Sequence, residues 1–186
     1  GATTLLVPLV QNADEAQQAV SATRYPPAGI RSVVNMSRAS KFGTVPNYLK
    51  NADQQMGVVV QLETEAAVRA IDSIAAVAGV DAVFIGPSDL ASSMGHPGQP
   101  LHADVVTLVT QAVQRCRALG KPIGTLGHTP DQVVHYRAMG FAYLAVSSDL
   151  GLLMRGATGT LQSLRTPGGE HHVHNLSTGT QTPAGG

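Results

Sequence analysis

The sequence predicts an α/β fold, most of a (β/α)8 barrel, and two observations favour it. Short apolar runs of strand length alternate along the chain with helical patterns long enough to connect parallel strands. Alanine, valine, leucine and glycine dominate while aromatic residues make up 4%, which suits α/β layers better than an aromatic-rich β-sandwich. The pattern falls about three β/α units short of a closed barrel, so we expect the first units to be missing. An open doubly wound sheet is the alternative.

The elements follow in order from local signals. The predicted strands are short, largely apolar runs typical of buried parallel strands, at residues 5–10, 58–63, 81–86, 122–126 and 142–146. Asn12 or Asp14 caps the first helix, Pro26 follows its end, and Gly120 and Gly140 end two later helices. Helices are expected at about 12–24, 46–54, 65–76, 103–119, 130–139 and 149–165, with a further helical turn starting at Pro87 and an irregular stretch through residue 43.

The two ends of the chain differ from the rest. It begins at Gly1 without methionine and enters a strand at once, which suggests a cut through a longer protein. Residues 1–165 form the predicted barrel part, and residues 166–186 turn polar and glycine-rich, which predicts a disordered tail. The histidines of that tail, His171, His172 and His174, are interpreted as isolated side chains rather than a physiological metal site.

Charge and apolar content exclude several classes of partner. Basic and acidic residues number 12 each, so no net field attracts nucleic acid or an anionic membrane. No apolar run reaches membrane-spanning length, and no signal peptide is recognisable. The single cysteine, Cys116, cannot form an internal disulfide, and a cytoplasmic location is expected.

Two carboxylates stand at predicted strand ends, where barrel enzymes hold their functional groups. Glu63 ends the second strand, and Gln61, two residues earlier, points to the same face. Asp89 follows the third strand, and oxygen ligands on neighbouring strand ends suit a hard cation such as Mg²⁺ or Mn²⁺. The alternatives are that Asp89 only stabilises a helix dipole and that Glu63 pairs with a basic residue from elsewhere in the fold.

The segment Gly86-Pro87-Ser88-Asp89 adds features of an anion site. Glycine lets the backbone approach a ligand closely, and the start of the following helix offers free N–H groups. A 2-oxo acid held there could chelate a metal on Asp89 through its carbonyl oxygen, and the metal would stabilise the enolate. Taken alone, the segment also describes an ordinary loop that enters a helix.

Three segments in register resemble the HpcH/HpaI aldolases. They are Tyr25-Pro26-Pro27-Ala28-Gly29-Ile30-Arg31, Val60-Gln61-Leu62-Glu63-Thr64, and Gly79-Val80-Asp81-Ala82-Val83-Phe84-Ile85-Gly86-Pro87-Ser88-Asp89-Leu90. The resemblance implies a TIM barrel of the pyruvate/phosphoenolpyruvate superfamily and a class II, metal-dependent aldolase. Such an enzyme cleaves or forms 4-hydroxy-2-oxo acids or 2-keto-3-deoxy sugar acids through a metal-stabilised pyruvate enolate. Its small-molecule partners are pyruvate and a small aldehyde.

The same resemblance implies a role for each site residue. Glu63 and Asp89 would hold Mg²⁺ or Mn²⁺, with Co²⁺ as a further candidate, and Gln61 would line the site. The backbone of Gly86, Pro87, Ser88 and Asp89, chiefly the Ser88 and Asp89 amides, would hold the pyruvate carboxylate. Leu126 would form part of an apolar wall. The resemblance also implies a homo-oligomer, commonly a hexamer with exchanged C-terminal helices.

Several residues depart from the family pattern or stand outside it. The family's catalytic histidine and substrate-binding arginine are expected upstream of this sequence. His128 follows the fourth strand and could face the site, but it matches no family motif and is interpreted as a loop histidine. His96 and His102 are interpreted as structural residues. Arg31 and Arg38 are expected to be exposed in the long loop, where contact with a neighbouring subunit or an acidic substrate is the alternative.

Two other functions stay open at this point. One is an acyl-CoA lyase of the citrate lyase β-subunit type, although no basic cluster for the phosphates of CoA is visible. The other is an inactive barrel fragment that serves as a binding or oligomerisation module, since missing barrel units would expose strand edges.

Overall fold

Five parallel strands, each hydrogen-bonded to the next in sequence, form the sheet in the computed structural model, which describes residues 1–165. They are β1 (Thr4–Val7), β2 (Gly57–Leu62), β3 (Ala82–Ile85), β4 (Ile123–Leu126) and β5 (Tyr143–Ala145). A doubly wound sheet reverses its strand order at a switch point, whereas this order runs in one direction, as in a barrel. The α/β prediction is confirmed, and the doubly wound alternative is wrong for these strands.

The helices lie between the strands in sequence. They are α1 (Ala13–Thr23), α2 (Tyr48–Asn51), α3 (Glu65–Arg69), α4 (Ile71–Ala75), α5 (Pro87–Ser93), α6 (Ala103–Ala118), α7 (Pro130–Met139) and α8 (Asp149–Arg165), with a 3₁₀ turn at Ala52–Gln55. The cap signals are confirmed: Asn12 accepts the Glu15 N–H at 2.9 Å, and Gly120 and Gly140 have φ of +65° and +91° after α6 and α7. None of the helices in residues 1–165 is long and apolar enough to cross a membrane.

The chain divides into two compact units. Residues 1–147 contain the sheet and the helices through α7, and the second unit begins at Ser148. The described part of the second unit is α8, none of whose residues is buried. The predicted tail at residues 166–186, with its three histidines, lies outside the described residues.

One face of β2 packs against helices in the hydrophobic core, and the other face points away from that core. Val58, Val60 and Leu62 are fully buried, while the residues between them are partly exposed. They form one apolar cluster with helix residues such as Ile71 and Val105. Burial of each side chain of this size contributes roughly 1.5–3 kcal/mol, so the register of β2 is firmly set. Gln61 consequently lies on the face away from that core.

The first strand is shorter than predicted, ending at Val7 rather than at residue 10. Pro8 lacks an N–H group for the ladder, and Leu9 has φ of +55°, a left-handed conformation that a side chain of this kind rarely adopts. The Leu9 N–H donates instead to Glu63 Oε2 at 2.9 Å, and the Val10 N–H donates to the Gln61 carbonyl at 3.1 Å. The N–H groups of this turn therefore bind residues at the end of β2, and β1 itself ends before the turn.

The single helix predicted at residues 65–76 is also wrong. The chain forms α3 and α4, separated by Ala70 at φ −86° and ψ +9°. No glycine or proline marks the break, but Val68 and Ile71 on either side of it are both fully buried. Tertiary packing sets the break, and helical periodicity in the sequence does not encode it.

Candidate active site

The carboxyl ends of β2, β3 and β4 meet because of the strand register. Leu62 lies opposite Ile85, and Ile85 lies opposite Thr125. The Gly86 N–H extends the pairing by donating to the Leu62 carbonyl at 3.1 Å. Residues that follow these strands are therefore neighbours, although up to about 60 positions separate them in the sequence.

A cavity of about 180 Å³ opens at this edge of the sheet. Six of its lining residues were predicted from the sequence, and the structure adds Phe84 and His128. The full lining is Gln61, Phe84, Gly86, Pro87, Ser88, Asp89, Leu126 and His128.

Glu63 lies immediately beside this cavity and is almost completely buried, with 6% of its surface exposed. Its Oε1 accepts a hydrogen bond from Gln61 Nε2 at 2.9 Å, which confirms that the two side chains share a face. Its Oε2 accepts the Leu9 N–H. None of the salt bridges among residues 1–165 includes Glu63 or Asp89. The alternative that Glu63 pairs with a lysine or arginine is therefore not supported in the described part of the chain.

The Glu63 carboxyl group is buried next to a second carboxyl group. Burial raises the pKa of its carboxyl above the ordinary value, and the nearby Asp89 carboxylate raises it further. The hydrogen bonds from Leu9 and Gln61 act in the opposite direction. Adjacent carboxylates repel each other unless a proton or a cation lies between them. The donor set, two carboxylates with an amide beside them, fits a hard divalent cation.

Gly86 is required by the position of the Glu63 side chain. A Cβ atom at residue 86 would lie 2.7 Å from Glu63 Cγ, 2.9 Å from Glu63 Oε1 and 3.0 Å from Gln61 Nε2. Cβ contacts shorter than 3.0 Å are essentially never seen, so any larger residue would displace the carboxylate. The glycine therefore lets β3 approach the Gln61–Glu63 hydrogen bond closely.

Asp89 and the free amides come from the first turn of α5. Pro87 occupies the first helical position, and Gly86 before it has no side chain to cap the helix. The amides of Ser88 and Asp89 are in the first turn, where N–H groups have no partner within the helix. Ser88 and Asp89 are both exposed, and both residues line the cavity.

An aromatic pair supports the wall of the cavity. The ring centroids of Phe84 and Tyr143 are 6.1 Å apart, and the Tyr143 hydroxyl donates to the Val83 carbonyl at 2.8 Å. A Cβ atom on Gly124 would lie 2.2 Å from the Tyr143 ring, so the glycine makes room for it. Burial raises the pKa of Tyr143 to about 12, which keeps its hydroxyl a neutral donor.

The sequence profile of the HpcH/HpaI aldolase/citrate lyase family matches residues 1–156, which is most of the chain and includes the whole cavity. The chain belongs to this family. The family assignment agrees with the parallel strand order and with the carboxylates at the ends of β2 and β3.

This HpcH/HpaI chain is similar to proteins that are named as aldolases. It is 50% identical to the pyruvate aldolase of Rhizobium etli, over 84% of this chain and 62% of that protein. It is 48% identical to the 4-hydroxy-2-oxo-heptane-1,7-dioate aldolase of Shigella sonnei, over 84% of this chain and 60% of that protein. The crystal structure of a family protein from Burkholderia cenocepacia aligns with a TM-score of 0.84 at 37% identity, covering 89% of this chain and 66% of that one. The chain thus spans about three fifths of the length of these curated relatives.

The remaining candidate residues of this family member lie in different places. His128 follows β4 in a loop, as expected, and it also lines the cavity, which was the less favoured alternative. Arg31 stacks on the Tyr25 ring at 4.5 Å and is half-buried, while Arg38 is exposed as predicted. His96 and His102 do not line this cavity and stack on each other elsewhere.

Proposed function

We propose that this protein is a divalent-metal-dependent aldolase of the class II type. It would cleave or form 4-hydroxy-2-oxo acids or 2-keto-3-deoxy sugar acids, with pyruvate and a small aldehyde as the other reactants. The observation that carries the proposal is the adjacent pair Glu63 and Asp89, which makes no ion pair within residues 1–165 and lies at a cavity lined by the first turn of α5. The names of the relatives at 48–50% identity support the same chemistry.

Glu63 and Asp89 are the proposed ligands of Mg²⁺, Mn²⁺ or Co²⁺. A bound divalent cation supplies Lewis-acid stabilisation of negative charge on a substrate oxygen. Gln61 holds the Glu63 carboxylate in place through the bond to Oε1, and Leu9 holds the other oxygen. Water and substrate would complete the coordination, because two protein carboxylates leave positions open.

The rest of the cavity is proposed to bind and shield pyruvate. The Ser88 and Asp89 amides would hold the pyruvate carboxylate at the start of α5. Phe84 and Leu126 supply apolar surface that limits access of water. His128 is a second ionisable residue of this lining besides Asp89, and the family pattern assigns it no role.

The alternative reaction, cleavage of an acyl-CoA thioester, has less support. Neither lysine nor arginine lines the cavity of about 180 Å³, whereas CoA phosphates require basic contacts.

The completed eight-stranded barrel and the homo-oligomer are further parts of the proposal. The apolar residues exposed on α8, among them Leu150, Leu153 and Leu161, support association with further copies of the chain, which sedimentation velocity would measure.

A titration of Mn²⁺ followed by EPR, with and without pyruvate, tests the metal site. The full chain would carry His171→Ala, His172→Ala and His174→Ala throughout, so that the tail histidines do not contribute. We expect one Mn²⁺ to bind, and pyruvate to tighten it. Glu63→Gln and Asp89→Asn should each weaken binding roughly 100-fold, about 2.7 kcal/mol, because each removes a charged ligand.

Asp81→Asn is the matched control, since it also removes a carboxylate near the end of a strand but lies away from the cavity. Its Mn²⁺ affinity should equal that of the parent. Circular dichroism establishes that each variant is folded. Equal affinity of the folded parent, Glu63→Gln and Asp89→Asn chains would refute the proposed ligands.

A further inference from the structure

A second group of metal-ligating side chains lies outside the cavity of Glu63 and Asp89. His96, His102 and Asp104, called here the His96 cluster, each offer one ligand atom within 4.8 Å of the others. His96 Nε2 is 3.3 Å and His102 Nδ1 is 3.6 Å from the same Asp104 oxygen, Oδ2. None of the three residues lines the candidate active site, so they form a separate location.

Hydrogen-bonded turns fix the backbone around the His96 cluster. The His96 N–H donates to the Ala91 carbonyl at 2.8 Å, and the His102 N–H donates to the Gln99 carbonyl at 2.9 Å. His102 is the residue that caps α6, and Asp104 lies in the first turn of that helix. The backbone that carries the three residues is therefore fixed before any ligand arrives, which lowers the entropy lost on binding.

We propose that the His96 cluster binds a first-row transition-metal ion, with Zn²⁺ as the favoured occupant. Two imidazoles and one carboxylate are a ligand set that Zn²⁺ accepts, with water in the fourth position. With metal–ligand bonds of about 2.0–2.1 Å, tetrahedral geometry places ligand atoms roughly 3.3 Å apart. The two distances to Asp104 Oδ2, 3.3 and 3.6 Å, are already close to that separation.

Binding requires a rotation of one imidazole. The His96 and His102 rings are stacked, with centroids 3.5 Å apart and planes 14° from parallel, so their lone pairs run side by side instead of converging. Within residues 1–165, His102 Nδ1 accepts one hydrogen bond, a long one from the Asp104 N–H at 3.3 Å. Turning this ring toward Asp104 Oδ2 therefore breaks a weak contact.

The surroundings leave room for the ion and its remaining ligand. A cavity of about 380 Å³ adjoins the cluster, lined by Glu65, Arg69, Met94, His96, Asp104, Thr107, Leu108 and Gln111. Its one cation, Arg69, is paired with Glu65 at 2.6 Å, so little positive charge opposes a metal ion. The site differs from the all-oxygen pair Glu63 and Asp89, and imidazole ligands favour a softer metal than Mg²⁺.

Competition for Zn²⁺ against a chromophoric chelator tests the proposal. The full chain would again carry His171→Ala, His172→Ala and His174→Ala, because tail histidines could bind Zn²⁺ themselves. In the Glu63→Gln/Asp89→Asn background, which removes the other candidate site, we expect one Zn²⁺ per chain and a tetrahedral d–d spectrum when Co²⁺ replaces it. His96→Asn and His102→Asn should each weaken Zn²⁺ binding at least tenfold, and asparagine at residue 102 preserves a good helix cap.

Two controls separate this cluster from other histidines and from the active site. His135→Asn changes an exposed histidine on α7 and should leave Zn²⁺ affinity unchanged. The double variant Glu63→Gln/Asp89→Asn should also keep the tight Zn²⁺ site. The proposal is overturned if the tail-substituted chain binds no Zn²⁺, if His96→Asn and His102→Asn bind it as the parent does, or if binding is lost only in the Glu63/Asp89 variant.

Discussion

The charged groups at the two ends of the parallel sheet differ in how neighbouring groups compensate them. At the amino end, Asp81 precedes β3 and its Oδ2 accepts the Val58 N–H at 2.7 Å, while Lys121 donates to the Val80 carbonyl. Each charged group there completes the hydrogen bonding of a strand start. At the carboxyl end, Glu63 is buried beside Asp89 with only one backbone partner and one amide side chain.

The difference separates a carboxylate that stabilises the fold from one that we propose binds a cation. Asp81 satisfies a backbone N–H that would otherwise lack a partner, and its pair is complete without any added group. Glu63 keeps a raised pKa because it is buried and faces a second carboxylate, an arrangement that a cation would relieve. In barrels, the carboxyl ends of the strands are where the active site lies.

Among the predicted substitutions, Gly86→Ala should disturb the carboxyl end of the sheet most strongly. The new methyl group would lie 2.7 Å from Glu63 Cγ, so either the carboxylate or β3 must shift. We expect a loss of about 2–3 kcal/mol in the free energy of unfolding, as for an overpacked site. Mn²⁺ affinity should fall roughly tenfold, since it depends on the position of Glu63.

Urea unfolding and Mn²⁺ EPR measure the two effects of Gly86→Ala. Gly156→Ala is the matched control, because a Cβ atom at residue 156 meets nothing within 4 Å. It should leave Mn²⁺ affinity unchanged. A Gly86→Ala chain with parental Mn²⁺ affinity would show that this close approach does not position the carboxylate.

A smaller effect is expected at the amino end, from Asp81→Ala. This change leaves the Val58 N–H without its acceptor and should lower the free energy of unfolding by about 1–2 kcal/mol. Asp81→Asn should recover part of the loss, because its amide oxygen can still accept. Neither variant should alter Mn²⁺ affinity, and a change in that affinity would mean that the two ends of the sheet are coupled.

The sequence predicted the strands and the paired residues better than it predicted their surroundings. Gln61 and Glu63 could be placed on one face because side chains alternate along a strand, and the bond between them confirms it. The role of Leu9 could not be predicted, because its left-handed turn depends on the Glu63 carboxylate 54 positions away. His128 could be named as a candidate to face the site, but its place in the lining could not be fixed, since only strand pairing brings the end of β4 beside Gly86.

The smallest expected effect is the contribution of Glu63 to the pH dependence of the free energy of unfolding. A raised pKa means that the folded chain binds this proton more tightly than the unfolded chain does. Between the ordinary value of 4.5 and the raised value, the free energy of unfolding of the metal-free chain therefore falls as pH increases through Glu63 ionisation. Glu63→Gln removes this contribution while keeping a side chain that can accept from Leu9.

Urea unfolding across this pH window, in the presence of a chelator, measures the difference between the parent and Glu63→Gln. We expect the variant to gain stability relative to the parent as pH rises, because only the parent must bury a second negative charge beside Asp89. Asp81→Asn provides the contrast, since its parent carboxylate is already matched by a backbone donor. Parallel curves for the parent and Glu63→Gln would mean that Glu63 is as well compensated as Asp81, and the distinction between the two ends of the sheet would then disappear.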